Sequence, residues 1–447
     1  MKKICIVGTG YVGLVTGSCF ADMGNQVTCV DINEAKIAGL NEGVIPIYEP
    51  GLEQVVQRGI KSSALKFTTS IEQGANGSDF VFLCVGTPPM EGNRPNLSYV
   101  YDAYMRLYPL LVKNSSVLVV KSTVPPGTAN VMHSMWDKTT PGQAVPIVSN
   151  PEFLREGHAV EDFMYPDRVV IGSTDPRAAE SLANLYLPLN SPIFVTDSST
   201  AEFIKYASNA FLATKVSFIN EMSVLCDKLG VDVTNVSKGI GMDPRIGKDY
   251  LRAGIGYGGS CLPKDVGALS YLARSHGYKP ALLDAVVQVN NHQPWLLVHH
   301  IEEALGGGLE GKTIGILGLA FKANTDDTRF SPALEVIKAL RAKNVKAIKC
   351  YDPKTAEINE GLIEMCENPY GAAAGCDALI VATDWEEFKN MDLKQLRSSM
   401  KGTVLADGRN MLNPTQVRQA GFTYIGVGRG SKEAIQSNKD TWALAAN

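Results

Sequence analysis

Lys3-Ile4-Cys5-Ile6-Val7, at the start of the chain, is an unbroken apolar run that suits a strand buried on both faces. Gly8-Thr9-Gly10-Tyr11-Val12-Gly13 follows, and then a helical spacing of apolar positions through Leu14, Val15, Cys19, Phe20 and Met23 that stops at Gly24. A second strand, 26–30, ends in Asp31. The order is strand, glycine turn, helix, strand, acid. Apolar runs at 79–85 and 116–120, with shorter ones near 146–149 and 169–171, predict further strands. Strands alternating with helical stretches predict an α/β fold with a parallel, doubly wound sheet.

The middle of the chain reads differently. Ser199-x-x-Glu202 is a capping-box signature, and 201–229 has helical spacing with no Pro or Gly until Gly230. Helical segments continue to about Leu305, and Gly306-Gly307-Gly308 reads as a linker. The third region echoes the first. Lys312-Thr313-Ile314-Gly315-Ile316-Leu317-Gly318-Leu319-Ala320 repeats the opening strand and turn, and 345–351 followed by Asp352 repeats the second strand and its acid. The runs at 376–383 and 403–407 repeat those at 78–87 and 116–120. The expected architecture is two Rossmann-like, doubly wound parallel-sheet domains joined by a central helical block. The expected divisions are 1–197, 198–305 and 306–447. General likeness between any two parallel α/β sheets is the competing explanation of the echo.

A chain of 447 residues exceeds what one hydrophobic core supports, so more than one domain is required. The formal net charge of −4 offers no electrostatic reason to bind nucleic acid or an anionic membrane. No apolar run approaches the ~20 residues of a spanning helix, and the opening run breaks at Gly8, too early for a signal-peptide core. Cytoplasmic residence is expected. Nine cysteines, an odd number without a Cys-x-x-Cys, do not make a disulfide framework. The adjacent His299-His300 point about 100° apart on a helix and do not readily share an ion, so no metal is expected.

Gly8-x-Gly10-x-x-Gly13 gains weight from its setting between strand and helix, and from Asp31 lying 18 residues past Gly13, close to the ~20 of a dinucleotide fingerprint. Gly8 serves the tight turn, Gly10 lets a pyrophosphate approach, and Gly13 allows close helix–strand packing. Asp31 is expected on the ribose 2′-hydroxyl, where it repels a 2′-phosphate; NAD is favoured over NADP, with Lys36 a weak opposing signal. Val85-Gly86-Thr87-Pro88-Pro89 and Lys121-Ser122-Thr123-Val124-Pro125-Pro126-Gly127-Thr128 follow strands, where ligands of doubly wound sheets lie. Both also suit plain turns.

The least ordinary stretch is Gly254-Ile255-Gly256-Tyr257-Gly258-Gly259-Ser260-Cys261-Leu262-Pro263-Lys264-Asp265. Glycines allow a ligand against the backbone, a nearby ammonium favours thiolate, and an aspartate within reach can act as a base. Cys261 is therefore the candidate nucleophile; Cys5, Cys29, Cys84, Cys226, Cys350 and Cys376 read as buried inert thiols. Lys205 and Asn209 share a face of the long helix and together suit an oxyanion, although a snorkelling lysine fits as well. Asn150-Pro151-Glu152-Phe153-Leu154-Arg155-Glu156-Gly157 brings two carboxylates to a strand end, as catalytic groups or as solvated helix-start acids.

Taken together these residues resemble the UDP-glucose/GDP-mannose dehydrogenases nearly end to end. The likeness is carried by the glycine loop, Gly86-Thr87-Pro88, Ser122 to Thr128, Asn150 to Gly157, Asp243-Pro244-Arg245-Ile246-Gly247, the Cys261 segment, Gly318-Leu319-Ala320-Phe321-Lys322 and Asp327-Thr328-Arg329. The resemblance implies a four-electron oxidation of a nucleotide sugar with two NAD per cycle, through a thiohemiacetal and a thioester on Cys261. It gives Lys205 and Asn209 the reacting oxygen, Asp265 the activation of water or thiol, and Glu152 thioester hydrolysis, with Thr123 placing a water. Gly8, Gly10, Tyr11, Val12, Gly13, Asp31, Lys36, Thr87, Thr123, Glu156, Lys264 and Arg329 are implied NAD contacts. The implied substrate contacts are Glu152, Phe153, Leu154, Arg155, Glu156, Lys205 and Asn209, then Tyr250, Leu251, Arg252, Ala253, Gly254 and Gly258, and finally Phe321, Lys322 and Arg409. Arg245 is implied to reach a neighbouring subunit's site, with the helical block as a homodimer interface. Leu262 departs from the Phe common in the UDP-glucose branch and is familiar in GDP-mannose enzymes, whereas Asp243 to Gly247 and Ala406-Asp407-Gly408-Arg409-Asn410 look like the UDP-glucose branch. UDP-glucose is the expected substrate. The same chemistry on GDP-mannose or another nucleotide sugar, a single-hydride hydroxyacid dehydrogenase and a non-catalytic NAD-binding protein are the rivals. Turnover on each sugar nucleotide and the number of NADH formed per substrate separate them.

Overall fold

A computed structural model describes residues 1–137, 145–358 and 363–430. The third expected segment, 306–447, therefore extends beyond the described residues. The chain divides into two compact units, Met1–Ser208 with Gly267–His276, and Asn209–Val266 with Gly277–Asn447.

The first unit is built on an eight-stranded sheet of order β3-β2-β1-β4-β5-β6-β7-β8. Its strands are β1 (Lys3–Val7), β2 (Gln26–Val30), β3 (Leu65–Thr68), β4 (Phe80–Leu83), β5 (Val117–Val120), β6 (Ile147–Ser149), β7 (Val169–Gly172) and β8 (Ile193–Thr196). The run from β3 to β6 is parallel, in the order of a dinucleotide-binding fold. β7 then meets β6 antiparallel, and β8 pairs parallel with β7, so the doubly wound sheet carries a reversed two-strand extension. Ile4, Ile6, Phe80 and Phe82 pack into one core, while Cys5, Val7, Val81 and Leu83 pack into another on the opposite face. Both faces being covered is why these strands read as continuous apolar runs rather than alternations.

The second unit repeats the plan with six strands, β9 (Thr313–Leu317), β10 (Ala347–Tyr351), β11 (Ile363–Met365), β12 (Ala378–Val381), β13 (Val404–Asp407) and β14 (Thr423–Gly426). Their order, β11-β10-β9-β12-β13-β14, matches the first six strands of the other sheet position for position, and all are parallel. The echo in the sequence is a true topological repeat. It extends to detail: Gly8 N–H donates to Val30 O and Gly318 N–H to Tyr351 O, each at 2.8 Å.

The helix predicted at 201–229 runs Ser198–Leu229. It starts earlier than the Ser199 capping box implies because Asp197 is the cap: its side chain accepts from Thr200 N–H at 2.9 Å and Thr200 Oγ1–H at 2.5 Å. Glu202, the other half of the expected box, is buried and turned elsewhere. It accepts from Gly127 N–H (2.7 Å), Ala129 N–H (3.1 Å) and Ser149 Oγ–H (2.9 Å), closing the start of the Thr128–Asp137 helix. Among the described residues no helix is long and apolar enough to cross a membrane, and no group of three or more His, Cys, Asp or Glu side chains is placed to hold a metal ion.

Candidate active site

The cofactor end of the first unit follows from backbone geometry. Gly8 has φ +98°, and a Cβ at Gly13 would lie 1.8 Å from Gly8 O, so neither position accepts a side chain. At Gly10 a Cβ would meet nothing within 4 Å, and Gly10 caps the Tyr11–Asp22 helix without a side-chain hydrogen bond. Gly10 thus leaves open space beside the positive end of this helix, which fits a pyrophosphate. Asp31 closes the loop. Its Oδ2 accepts from Thr9 N–H (3.0 Å), Thr9 Oγ1–H (2.7 Å) and Lys36 Nζ (2.9 Å), and its Oδ1 from Asn33 N–H (3.1 Å). Burial pushes this carboxyl up, but Thr9, Lys36 and Asn33 hold it below its ordinary value. Lys36 thus serves the acid rather than opposing it, and for Asp31 to take ribose hydroxyls the lysine must give way.

Thr87 Oγ1–H donates to Thr123 O at 2.9 Å, which ties the loop after β4 to the loop after β5. Tyr11 reaches the loop after β6, where its hydroxyl oxygen accepts from Gly157 N–H at 2.8 Å. Glu49, a buried acid that no sequence pattern singles out, accepts from Gly157 N–H (2.6 Å) and Ala159 N–H (2.8 Å). Thr123, Ser149, Pro151, Glu202 and Lys205 line one recess in this unit.

Beside it, Lys205 Nζ lies 2.8 Å from Glu152 Oε1, and both side chains are only 4% exposed. The lysine does not snorkel and the acid is not solvated. Glu152 Oε2 also accepts from Leu154 N–H at 2.6 Å. Burial pushes the Glu152 carboxyl up, and the Lys205 ammonium, the Leu154 amide and the Lys121 charge together pull it below its ordinary value. Phe153 is stacked under Arg168, 3.6 Å from its ring centroid, with Lys205 Nζ at 5.4 Å. Glu156 is buried, whereas Arg155 turns outward into a bidentate pair with Asp162 (2.6 and 3.0 Å).

In the second unit Cys261 stands immediately before the Leu262–Ser275 helix and accepts from Asp265 N–H at 2.9 Å through its carbonyl, so it occupies the N-cap. A helix N-terminus favours an anion, a contribution the sequence spacing alone did not show. Ser260 Oγ lies 3.7 Å from the thiol sulfur. Asp265 is buried; Lys264 Nζ sits 2.5 Å from its Oδ1 and Asn209 Nδ2–H donates to its Oδ2 at 2.6 Å. All nine cysteines are free. Burial pushes up the thiols of Cys5, Cys19, Cys29, Cys84, Cys226, Cys350, Cys366 and Cys376, which favours their protonated form.

The glycines before Cys261 have a packing reason of their own. A Cβ at Gly254 would meet Gly408 O at 2.7 Å, at Gly256 Asn290 Oδ1 at 2.8 Å, at Gly258 Phe330 O at 2.2 Å, and at Gly259 the Phe321 ring at 2.7 Å. Arg409 fastens the same loop: half-buried, it donates to Gly256 O (3.0 Å), Phe321 O (3.0 Å) and Ala382 O (2.8 Å). Leu251 and Ala253 are buried, and Tyr250 holds a left-handed φ of +62°. Lys322 Nζ lies 5.4 Å from the Phe321 ring centroid. Arg245, Arg252 and Arg329 extend into solvent, the first paired with Asp243 and the last with Asp327, each at 2.7 Å.

A dinucleotide fold whose glycine loop is open to a pyrophosphate, with a buried Lys–Glu pair beyond the same strand ends, defines an NAD-dependent oxidoreductase. Residues 2–190 match the UDP-glucose/GDP-mannose dehydrogenase family, NAD binding domain; 199–292 match its central domain and 315–414 its UDP binding domain. The chain is 44% identical over 436 residues to UDP-glucose 6-dehydrogenase TuaD of Bacillus subtilis, covering 96% of this chain and 94% of that one. It is 45% identical over 436 residues to UDP-glucose 6-dehydrogenase of Rhizobium meliloti, covering 96% and 99%. Its fold superposes with a TM-score of 0.89, at 38% identity over 96% and 98% of the chains, on a UDP-glucose dehydrogenase from the archaeon Pyrobaculum islandicum. The chain belongs to the UDP-glucose/GDP-mannose dehydrogenase family.

Proposed function

We propose that this chain oxidises UDP-glucose to UDP-glucuronate in two NAD-dependent steps through a thioester on Cys261. The observation that carries the reading is Cys261 itself, a partly exposed thiol at the N-cap of the Leu262–Ser275 helix with Asp265 one turn on, in a chain where burial favours the protonated form of the other thiols. The names of the relatives at 44% and 45% identity support the sugar.

NAD, when bound, takes a hydride from the sugar carbon in each oxidation. Gly8, Gly10, Gly13, Tyr11 and Val12 would hold its pyrophosphate and Asp31 with Lys36 its ribose, while Thr87, Thr123, Glu156, Lys264 and Arg329 would complete its contacts. Lys205 and Asn209 hold the C6 oxygen while the alcohol loses its proton and becomes an aldehyde. The Cys261 thiolate then adds to the carbonyl carbon, and the oxygen takes a proton to give the thiohemiacetal. Loss of that proton and of the second hydride leaves the thioester. Thr123 places a water, Glu152 takes its proton as the oxygen adds to the acyl carbon, the C–S bond breaks, and the thiolate returns. Asp265, held by Lys264 and Asn209, assists the thiol. Phe153, Leu154, Arg155, Tyr250, Leu251, Arg252, Ala253, Gly254, Gly258, Phe321, Lys322 and Arg409 frame the sugar nucleotide.

The same reading keeps the divisions at 1–197, 198–305 and 306–447, a cytoplasmic location, and a homodimer in which Arg245 reaches the neighbouring site. The dimer is supported by Phe211, Phe218 and Leu225, exposed at seven-residue intervals along the Ser198–Leu229 helix. Leu262 favours GDP-mannose as the alternative substrate, and comparing turnover on the two sugar nucleotides decides between them. The test of the chemistry is NADH counted per UDP-glucose consumed. Two are expected from the native enzyme and no acid from Cys261→Ala; a variant that still made UDP-glucuronate at the native rate would sink the thioester.

A further inference from the structure

Asn150, two residues before Glu152, holds a second buried ammonium. Lys121, the residue after β5, is 5% exposed. Its Nζ donates to Asn150 Oδ1 at 3.1 Å and to the Tyr186 hydroxyl oxygen at 3.3 Å, and lies 5.7 Å from the Tyr186 ring centroid. Tyr186 OH donates to Asn150 Oδ1 at 2.6 Å, and Asn150 Nδ2–H donates to Val170 O at 2.8 Å. The triangle is closed and held by three elements: the strand ends after β5 and β6, and the Pro176–Tyr186 helix. Asn150 is only 1% exposed, and its amide is oriented by Val170 so that the carbonyl oxygen faces the ammonium.

A cation sealed from water is expensive unless an anion offsets it. Both hydrogen-bond partners of Lys121 are neutral. The charges and titratable groups around it are Cys84 after β4, Glu152 after β6, Lys205 on the Ser198–Leu229 helix, and the Tyr186 phenol. Burial pushes the Cys84 thiol up to about 12 and raises the Tyr186 phenol, so both are neutral near pH 7. Glu152 is then the one anion in the group, shared by two ammoniums. Lys205 holds it directly at 2.8 Å; Lys121 acts on it through space.

That arrangement matters when Lys205 turns to a substrate oxygen. A buried carboxylate that loses its ion-pair partner takes up a proton, and a protonated Glu152 accepts nothing from water. We propose that Lys121 is a positioning residue for thioester hydrolysis, its buried ammonium holding Glu152 ionised while Lys205 serves the substrate. The proposal rests on the base role given to Glu152 above. Asn150 and Tyr186 are part of the device, since they anchor the ammonium without neutralising it. Burial pulls the Lys121 amine down to about 8, against the raising effect of Cys84 and Glu152, so the group still carries its charge at neutral pH and below, where Glu152 needs it.

The test is the pH dependence of kcat for UDP-glucuronate formation from UDP-glucose and NAD. In Lys121→Met the acid limb is expected to move up by about one pH unit, giving about tenfold slower turnover at pH values below the limb, with KM for UDP-glucose little changed. Lys121→Arg returns the limb toward its native position, because the charge is restored. Asn150→Asp, which sets a carboxylate on the ammonium, moves the limb up like Lys121→Met and replaces that variant if it folds poorly. An unmoved limb in both Lys121→Met and Asn150→Asp, whatever the loss of rate, makes the lysine a packing element and overturns the proposal. Glu152→Gln separates the two readings. If it abolishes acid formation while the limbs stay put, only the role of Lys121 falls; if it turns over normally, the role of Glu152 falls and this one with it.

Discussion

Lys205 and Glu152 show how much a single contact decides at the scale of the residue. They stand 53 positions apart in sequence, yet their charged atoms meet at 2.8 Å with almost no exposure to solvent. Removing Lys205 leaves Glu152 buried with only the through-space charge of Lys121, a loss bounded by the about 3–5 kcal/mol typical of breaking a buried pair. Lys205→Met is expected to lose stability within that bound in urea titrations at pH 7. The loss should shrink as pH falls. The folded-state carboxyl of Glu152 lies below its ordinary value, so its contribution is present above pH ~4.5 and disappears as pH drops through the lowered value. Equal losses at pH 7 and at pH 4 would show that the ion pair is not what Lys205 contributes. The presence of a lysine on the helix and a glutamate at a strand end was readable from the chain. Their pairing was not, because no local periodicity records a contact made across a sheet edge. Lys121 is legible only as the first residue of a loop at a strand end, because its burial and its partners Asn150 and Tyr186 come from distant parts of the chain.

At the scale of elements, apolar runs mark ten of the fourteen strands among the described residues. The four they did not mark, β3, β8, β11 and β14, are the four edges of the two sheets. Interior strands of a parallel sheet are buried on both faces and need continuous apolar sequence, whereas an edge is only partly covered and its composition is mixed. Leu65-Lys66-Phe67-Thr68 and Ile193-Phe194-Val195-Thr196 illustrate the two forms, one alternating buried with less buried positions, the other exposed at its centre. The long helix was evident from its length and lack of Pro and Gly, but its cap was misread. Asp197 outcompetes Ser199, and Glu202 does more by closing another helix than by reaching back along its own. The exposed Phe211, Phe218 and Leu225 make a prediction that belongs to this scale. Phe218→Glu places a charge in the middle of the apolar stripe and is expected to shift the protein from dimer to monomer in light scattering at micromolar concentration. An unchanged mass would remove the apolar stripe as support for a dimer.

For the molecule as a whole, the repeat of one topology with two different ends is the informative feature. In the first unit a helix begins at Tyr11, three residues past Gly8, so that its N-terminus stands at the strand end. In the second, the helix following β9 begins only at Pro332, and Asp352 is sealed by Leu319 N–H (2.7 Å), Ala320 N–H (3.0 Å) and Trp385 Nε1–H (3.2 Å). The second sheet has the acid but not the adjacent helix dipole, and those donors to its acid include no displaceable lysine, whereas Lys36 is one of the donors to Asp31. Calorimetry is expected to find one NAD per chain despite two folds of the same order, and two equivalent sites would contradict that argument.

The sequence by itself determined the fold class, the repeat, and the chemistry worth looking for, because strand burial, glycine turns and helix spacing are local properties that each segment must satisfy wherever it ends up. The tertiary structure decided which charges meet, which glycines have packing partners, and which acid closes which helix. Those outcomes depend on groups brought together across sheets and loops, where burial multiplies the strength of a charge and only the folded chain fixes its neighbours.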